Sequence, residues 1–217
     1  MRSEKLKDAY NEFWNRALNT ESEDLYSKMS LGDFVNLKKA ITNINNIVTL
    51  ETTKEFIRYL ETMSIVSVAQ ASKMMEDAES INANTNGFDI EYPLKRKDTE
   101  TIVLTEDEIK IIAEVKCCIP AGTSAYGAAQ EESIIKDIVG LANGKTKSFI
   151  QKTELDGYVK FLVLLGSNNE EEREKVVTSA HKIIAKTSDR YNGYKVIPFS
   201  ATGELDTKTI YVVIINY

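Results

Sequence analysis

The fold of this chain can be worked out from residues 109–119, which read IKIIAEVKCCI. A short apolar run that contains one charged pair predicts a β-strand that is largely buried. Because successive side chains of a strand point to opposite faces, Glu114 and Lys116 fall on one face and Val115 and Cys117 on the other. Burying charge is costly unless the charges are paired or bind a metal, so this pair marks a candidate functional site.

The segments around this strand predict an α/β fold. Further strands are predicted at residues 88–94, 158–165, 194–199 and 209–215, with residues 101–104 as an additional candidate. Helices are predicted over residues 125–142, ending near Gly144, and from a cap at Ser167 or Asn168 through residue 186. This order predicts a mixed central sheet flanked by helices.

The N-terminal part of the chain predicts helices only. Up to Asn84 there is no proline and a single glycine, Gly32, and apolar residues recur at helical spacing. Asp33 is predicted to cap a second helix, and Thr52 to open a third that runs on to Met74. The turn-rich residues 82–87 then mark a boundary, which predicts a helical region at 1–84 and a second domain at 85–217.

Composition excludes several classes of protein. The 217 residues are 42% hydrophobic, which is enough to bury a core, and no apolar stretch approaches the ~20 residues of a membrane helix, so we expect a cytoplasmic protein without membrane partners. The only cysteines, Cys117 and Cys118, are neighbours on a predicted strand and cannot easily bridge each other. With a single histidine, His181, the chain lacks the ligands of a zinc site, and any metal should be held by oxygen.

Two carboxylates upstream extend the candidate site. Asp89 and Glu91 share one face of the strand at 88–94, and pairing with the next strand would bring Asp89 beside Glu114. Two carboxylates and a backbone carbonyl form a hard-oxygen site suited to Mg²⁺. Lys116 would then orient a water molecule or stabilise developing charge.

Phe88-Asp89, followed by Glu114-Val115-Lys116, resembles the PD-(D/E)xK nuclease superfamily, over roughly residues 87–165. The resemblance implies a restriction-endonuclease-like core in which Asp89, Glu114 and the Val115 carbonyl hold Mg²⁺ or Mn²⁺. It further implies that Lys116 is the catalytic lysine.

The same resemblance gives Gln130 a supporting role, because several branches place a Gln or Glu in the helix that follows. Phe88 replaces the proline of the motif, and Ile134 stands where one exonuclease branch has a tyrosine, so an endonuclease is favoured. The connection between the two carboxylate strands is long, and Glu91 or Asp98 remains an alternative to Asp89 as the upstream ligand.

The resemblance therefore predicts a Mg²⁺-dependent endonuclease that cuts DNA, in a bacterial restriction or defence setting, and a homodimer would pair two sites for cutting both strands. Net charge is −6, but DNA affinity depends on local basic residues. The candidates for DNA binding are Lys95, Arg96, Lys97, Lys136, Lys145 and Lys147.

Two alternatives stay open, a non-catalytic nucleic-acid-binding or assembly protein on the same fold and a nuclease for RNA or branched DNA. No nucleotide cofactor is expected, because the glycines before Lys145 lack the spacing of a phosphate-binding loop.

Overall fold

The computed structural model of the protein describes residues 2–20, 22–41, 44–80, 87–94, 104–105, 108–119, 126–188, 193–200 and 204–217. Six α-helices and five strands lie within these described residues. The helices are α1 (Arg2–Leu18), α2 (Leu31–Ala40), α3 (Ile44–Thr62), α4 (Val68–Ser80), α5 (Ala128–Asn143) and α6 (Glu170–Thr187). The strands are β1 (Ile90–Tyr92), β2 (Ile111–Lys116), β3 (Val159–Leu165), β4 (Lys195–Pro198) and β5 (Thr209–Ile215).

The five strands form one mixed sheet in the order β1-β2-β3-β5-β4. β1 pairs antiparallel with β2, while the β2–β3, β3–β5 and β5–β4 pairs are parallel. Each parallel pair requires a crossover, and α5 and α6 lie in the connections that follow β2 and β3. The predicted mixed sheet flanked by helices is confirmed.

Helices cover both faces of the sheet. On one face, Ile112 of β2 packs in a buried cluster with residues of α5 and α6 such as Ile138 and Ile183. On the other face, Val115 belongs to a second buried cluster that includes Phe56 of α3. Strands buried on both faces are typical of parallel sheets, and β3 is buried along its whole length.

The chain divides into two compact units, Met1–Asn45 and Asn46–Tyr217. This division differs from the predicted boundary near Asn84. The reason is that most of α3 and all of α4 belong to the unit that contains the sheet, where Phe56 is fully buried and its ring centroid lies 5.2 Å from that of Phe161 on β3. Glycine and proline content marks where the chain turns, whereas the unit boundary follows the burial of apolar side chains.

The first unit contains α1 and α2. Ser30, rather than the predicted Asp33, caps α2, because its hydroxyl accepts a hydrogen bond from the Asp33 amide while the Asp33 carboxylate accepts one from the Ser30 amide. The Tyr10 ring makes edge-on contacts with Tyr26 and Phe34, with centroids 5.7 Å and 5.4 Å apart.

Several predicted element bounds shift. α3 begins before Thr52, whose hydroxyl donates to the Val48 carbonyl within the helix, and it ends at Thr62, so that α4 is a separate helix. α6 is capped by Asn169 instead of Ser167 or Asn168. Of the additional candidate strand at 101–104, only Leu104 lies among the described residues, and it is not in a strand. Among the helices of the described part of the chain, none has the length and apolar character to cross a membrane.

Candidate active site

The register of the first two strands brings Asp89 next to Glu114. Ile90 pairs with Ala113, so Asp89, one residue before β1, falls opposite Glu114 when the register is extended by one residue. The Asp89 Oδ2 atom accepts a hydrogen bond from the Val115 backbone N–H, with an N···O distance of 2.7 Å. The upstream carboxylate is therefore fixed at the edge of β2 by the main chain.

Glu114 and Lys116 lie on the sheet face that α5 covers, the side on which Ile112 is buried. Val115 and Cys117 belong with the cluster on the opposite face, as the alternation of side chains predicts. Glu114 is only 3% exposed, so its carboxylate lies in a largely dry environment. The two cysteines are free.

Two ion pairs connect β2 to α5 and to the turn that follows it. Lys116 Nζ lies 2.8 Å from Asp137 Oδ2, and Lys145 Nζ lies 2.5 Å from Glu114 Oε1. Asp137 is 9% exposed and faces the sheet from the third turn of α5. Lys145 follows Gly144, the residue that caps the C-terminal end of α5, and the helix thus ends near Gly144 as predicted.

Burial and neighbouring charge perturb the titration of the site. Burial, followed by the charge of Asp89, raises the pKa of Glu114 to about 8, although Lys145 acts in the opposite direction. Burial also raises the pKa of Asp89, which the hydrogen bond from Val115 partly offsets. Burial alone would lower the pKa of Lys116, but the hydrogen bond and charge of Asp137 raise it. The raised pKa values of both carboxyl groups mean that their ionised forms are costly in this buried site, and a bound cation would offset that cost.

The donor set fits a hard divalent metal. The N–H and C=O of one strand residue point to the same edge, so the Val115 carbonyl faces the side on which Asp89 accepts the Val115 amide. Asp89, Glu114 and this carbonyl thus supply oxygen atoms of the kind that Mg²⁺ prefers. Within the described residues there is no group of three or more His, Cys, Asp or Glu side chains that could hold a metal.

The structure also bears on the alternative upstream ligands. Glu91 is buried opposite Ile112, and its Oε2 atom accepts a hydrogen bond from the Ser148 hydroxyl at 3.3 Å. Glu91 therefore lies farther along β1, away from the Val115 amide, than Asp89 does. Asp98 lies outside the described residues.

Gln130 has a structural position at the start of α5. Its Oε1 atom accepts a hydrogen bond from the Gly127 amide at 3.0 Å, and its Nε2 atom donates to the Ile119 carbonyl at 3.3 Å. These contacts fix the first turn of α5 to the end of the β2 segment. The side chain on α5 that contacts Lys116 is instead Asp137, seven residues later.

The predicted basic residues separate into three groups. Lys136 is exposed and pairs with Glu132 at 3.1 Å, and Lys147 is also exposed. Lys145 points into the site, where it pairs with Glu114. The cluster of Lys95, Arg96 and Lys97 lies outside the described residues.

Asp137 and the Glu114 contact of Lys145 are the parts of the site that sequence patterns alone do not reveal. Asp137 stands in a helix with several acidic residues, and only its place between Ile134 and Ile138, both fully buried, hints that it faces the sheet. The chain matches no protein-family model, no curated protein and no solved structure. A functional assignment therefore rests on the geometry of this site.

Proposed function

We propose that the protein is a Mg²⁺- or Mn²⁺-dependent endonuclease that hydrolyses DNA phosphodiester bonds, in a bacterial restriction or defence setting. One observation carries the proposal: the Val115 amide, next to Glu114 on β2, donates a hydrogen bond to Asp89 Oδ2, and Lys116 lies on the same face of β2 as Glu114. Two carboxylates beside an ammonium on a rigid sheet are suited to metal-assisted phosphodiester hydrolysis. The antiparallel β1–β2 pair, α5 and parallel β3 agree with a restriction-endonuclease-like core.

Asp89, Glu114 and the Val115 carbonyl would hold the metal. When bound, a divalent cation supplies Lewis-acid activation of water and offsets negative charge on the phosphoryl group. The raised pKa of the buried Glu114 supports this role, because the ionised carboxylate is costly in this dry site and a bound cation would offset that cost. The hydrogen bond from the Val115 amide keeps Asp89 oriented for it.

Lys116 is the proposed catalytic lysine. Its side chain is one quarter exposed, so an incoming phosphodiester could reach it. Asp137 holds it by an ion pair from α5, which limits the rotamers of a flexible side chain. In this position Lys116 orients the attacking water or stabilises charge that develops on the phosphoryl oxygens.

DNA would approach the end of the sheet where these residues lie. Lys136 and Lys147 are exposed cations on α5 and on the turn after it, and they are proposed to contact the DNA backbone. A homodimer would place two sites for cleavage of a duplex. A monomeric mass in solution, in the presence of DNA, would contradict the dimer.

The second candidate is a non-catalytic nucleic-acid-binding or assembly protein on the same fold. It is favoured by the lack of a group of three metal-binding side chains in the described part of the chain, and by the engagement of Lys116 and Lys145 in ion pairs. Binding of nucleic acid that is insensitive to EDTA, without cleavage, would identify it.

The decisive experiment is cleavage of supercoiled and linear DNA, and of a matched RNA, with Mg²⁺, Mn²⁺ or EDTA. Asp89→Asn, Glu114→Gln and Lys116→Met keep side-chain size and are each expected to lower the cleavage rate by about 100-fold or more. Glu91→Gln is the matched control on β1 and should retain the rate within about threefold. Wild-type protein that cuts none of the substrates, or variants that cut equally well, would refute the nuclease assignment.

A further inference from the structure

Lys145 occupies a site that is shaped to hold its side chain against the candidate active site. Its Nζ atom lies 2.5 Å from Glu114 Oε1, donates a hydrogen bond to the Gly87 carbonyl at 3.3 Å, and lies 5.7 Å from the centroid of the Phe88 ring. The side chain is 26% exposed. Three different kinds of contact therefore place one ammonium beside the carboxylate.

Gly140 makes room for the stem of this lysine. A Cβ atom at position 140 would lie 3.2 Å from Lys145 Cε and 3.4 Å from Lys145 Cγ, tighter than nine in ten such contacts in proteins. Glycine inside a helix is destabilising relative to alanine, so its presence in α5 has a local cost. The missing side chain lets Lys145 run back over the helix toward Glu114.

The charges around Lys145 differ between the metal-free and the metal-bound site. Without a metal, Asp89 and Glu114 carry up to two negative charges, and Lys145 is attracted to them. A bound divalent cation would offset the charges of the two carboxylates, so little attraction would remain for the ammonium. Lys145 therefore stabilises the metal-free site more than the metal-bound site, whatever the protonation state of Glu114.

We propose that Lys145 is an internal cation that competes with the divalent metal for Glu114. The Lys145 ammonium pairs with the Glu114 carboxylate while no metal is bound. Binding of Mg²⁺ or Mn²⁺ would release the ammonium toward the exposed side of the site. The partial exposure of Lys145 gives the released ammonium a path to a substrate phosphate. This inference rests on the proposed metal site, and it assigns to Lys145 the control of metal loading.

The test is Mn²⁺ binding to the full chain, measured by isothermal titration calorimetry and by electron paramagnetic resonance of free Mn²⁺. Lys145→Met is expected to bind Mn²⁺ about 5- to 10-fold more tightly than wild type, the size of an ordinary coupling between two ligands. Gly140→Ala keeps every charge but forces the Lys145 side chain to shift by a few tenths of an ångström, and it should tighten binding in the same direction by a smaller factor. Lys152→Met, a change at an exposed lysine, should leave the dissociation constant unchanged.

Unfolding curves of the variants come first, and Gly140→Ala decides the question if Lys145→Met does not fold. Unchanged or weaker Mn²⁺ binding by the variants, with measurable binding by wild type, would overturn the competition and leave the proposed nuclease site standing. Failure of wild type to bind Mn²⁺, with Glu114→Gln giving the same result, would overturn both proposals. Tighter binding by both variants would establish the competition.

Discussion

Lys116 Nζ lies 2.8 Å from Asp137 Oδ2, so a carboxylate on α5 holds the proposed catalytic lysine on β2. The two side chains are 25% and 12% exposed, which shields the pair from much of the solvent. In the proposed nuclease, Asp137 would be a positioning residue that acts through Lys116.

Asp137→Asn should weaken this positioning without removing a side chain from the helix. We expect kcat for DNA cleavage to fall by about 10- to 100-fold, the range typical of residues that orient functional groups, while KM changes little. Steady-state cleavage of a defined duplex measures both constants. Glu132→Gln is the control, because Glu132 is exposed on the same helix. An unchanged kcat in Asp137→Asn would remove Asp137 from the mechanism.

Gln130→Ala separates a capping role from a catalytic one. The change removes the acceptor for the Gly127 amide and the donor to the Ile119 carbonyl, so the free energy of unfolding should fall by about 1 kcal/mol. Cleavage by the folded protein should stay within about threefold of wild type. Urea unfolding and cleavage assays give the two values, with Gln151→Ala as an exposed control. A large loss of activity at unchanged stability would instead favour the supporting role that the family resemblance implies.

Lys160 makes stability depend on pH in the alkaline range. It is fully buried, its Nζ atom donates to the carbonyls of Leu155, Tyr158 and Thr207, and burial lowers its pKa from 10.5 to about 8. Between these two pKa values the unfolded chain binds more protons than the folded one, so the free energy of unfolding rises with pH. Below the folded pKa, Lys160 is protonated in both states and causes no change of stability with pH.

In wild type, Lys160 should raise the free energy of unfolding by on the order of 3 kcal/mol between about pH 8 and 10.5, and Lys160→Met should not show this rise. Urea unfolding across this range measures the difference between variant and wild type. Lys152→Met, at an exposed lysine, should keep the wild-type profile. Parallel pH profiles for Lys160→Met and wild type would show that Lys160 is not the source.

Phe56→Ala tests whether α3 belongs to the unit that contains the sheet. The Phe56 side chain is fully buried against Phe161 of β3, so its truncation should lower the free energy of unfolding by about 3–5 kcal/mol. Urea unfolding of the full chain, followed by far-UV circular dichroism, measures the change. Phe13→Ala, at a residue 62% exposed in the first unit, should cost less than about 0.5 kcal/mol. A small effect at Phe56 would return α3 to a separate helical region.

Features with a strict local period could be predicted from the sequence. The alternation in residues 109–119 placed Glu114 and Lys116 on one face, and a simple strand pairing placed Asp89 beside Glu114. The order of strands and helices followed from apolar runs and turn residues in the same way. These features depend on neighbours within a few residues or on one adjacent strand.

The remaining parts of the site depend on how elements pack. The contact of Asp137 with Lys116 requires the rotation of α5 against the sheet, and that of Lys145 with Glu114 requires a turn at Gly144 with φ of 86°. Neither the rotation of α5 nor the turn at Gly144 can be predicted from the spacing of apolar and polar residues in the sequence. The boundary between the compact units depends on packing in a related way, since Phe56 lies far from Phe161 in the sequence.

The hydrogen bond from the Val115 backbone amide to the Asp89 carboxylate has a consequence for which residues can stand at position 115. Its donor belongs to the main chain, so every residue except proline can provide it, whichever side chain occupies position 115. Other apolar residues that suit the opposite face of the sheet could therefore replace Val115 during evolution. The hydrogen bond to Asp89 would be kept. The alignment of Asp89 is a property of the backbone, and mutational drift at its hydrogen-bond partner would leave the site intact.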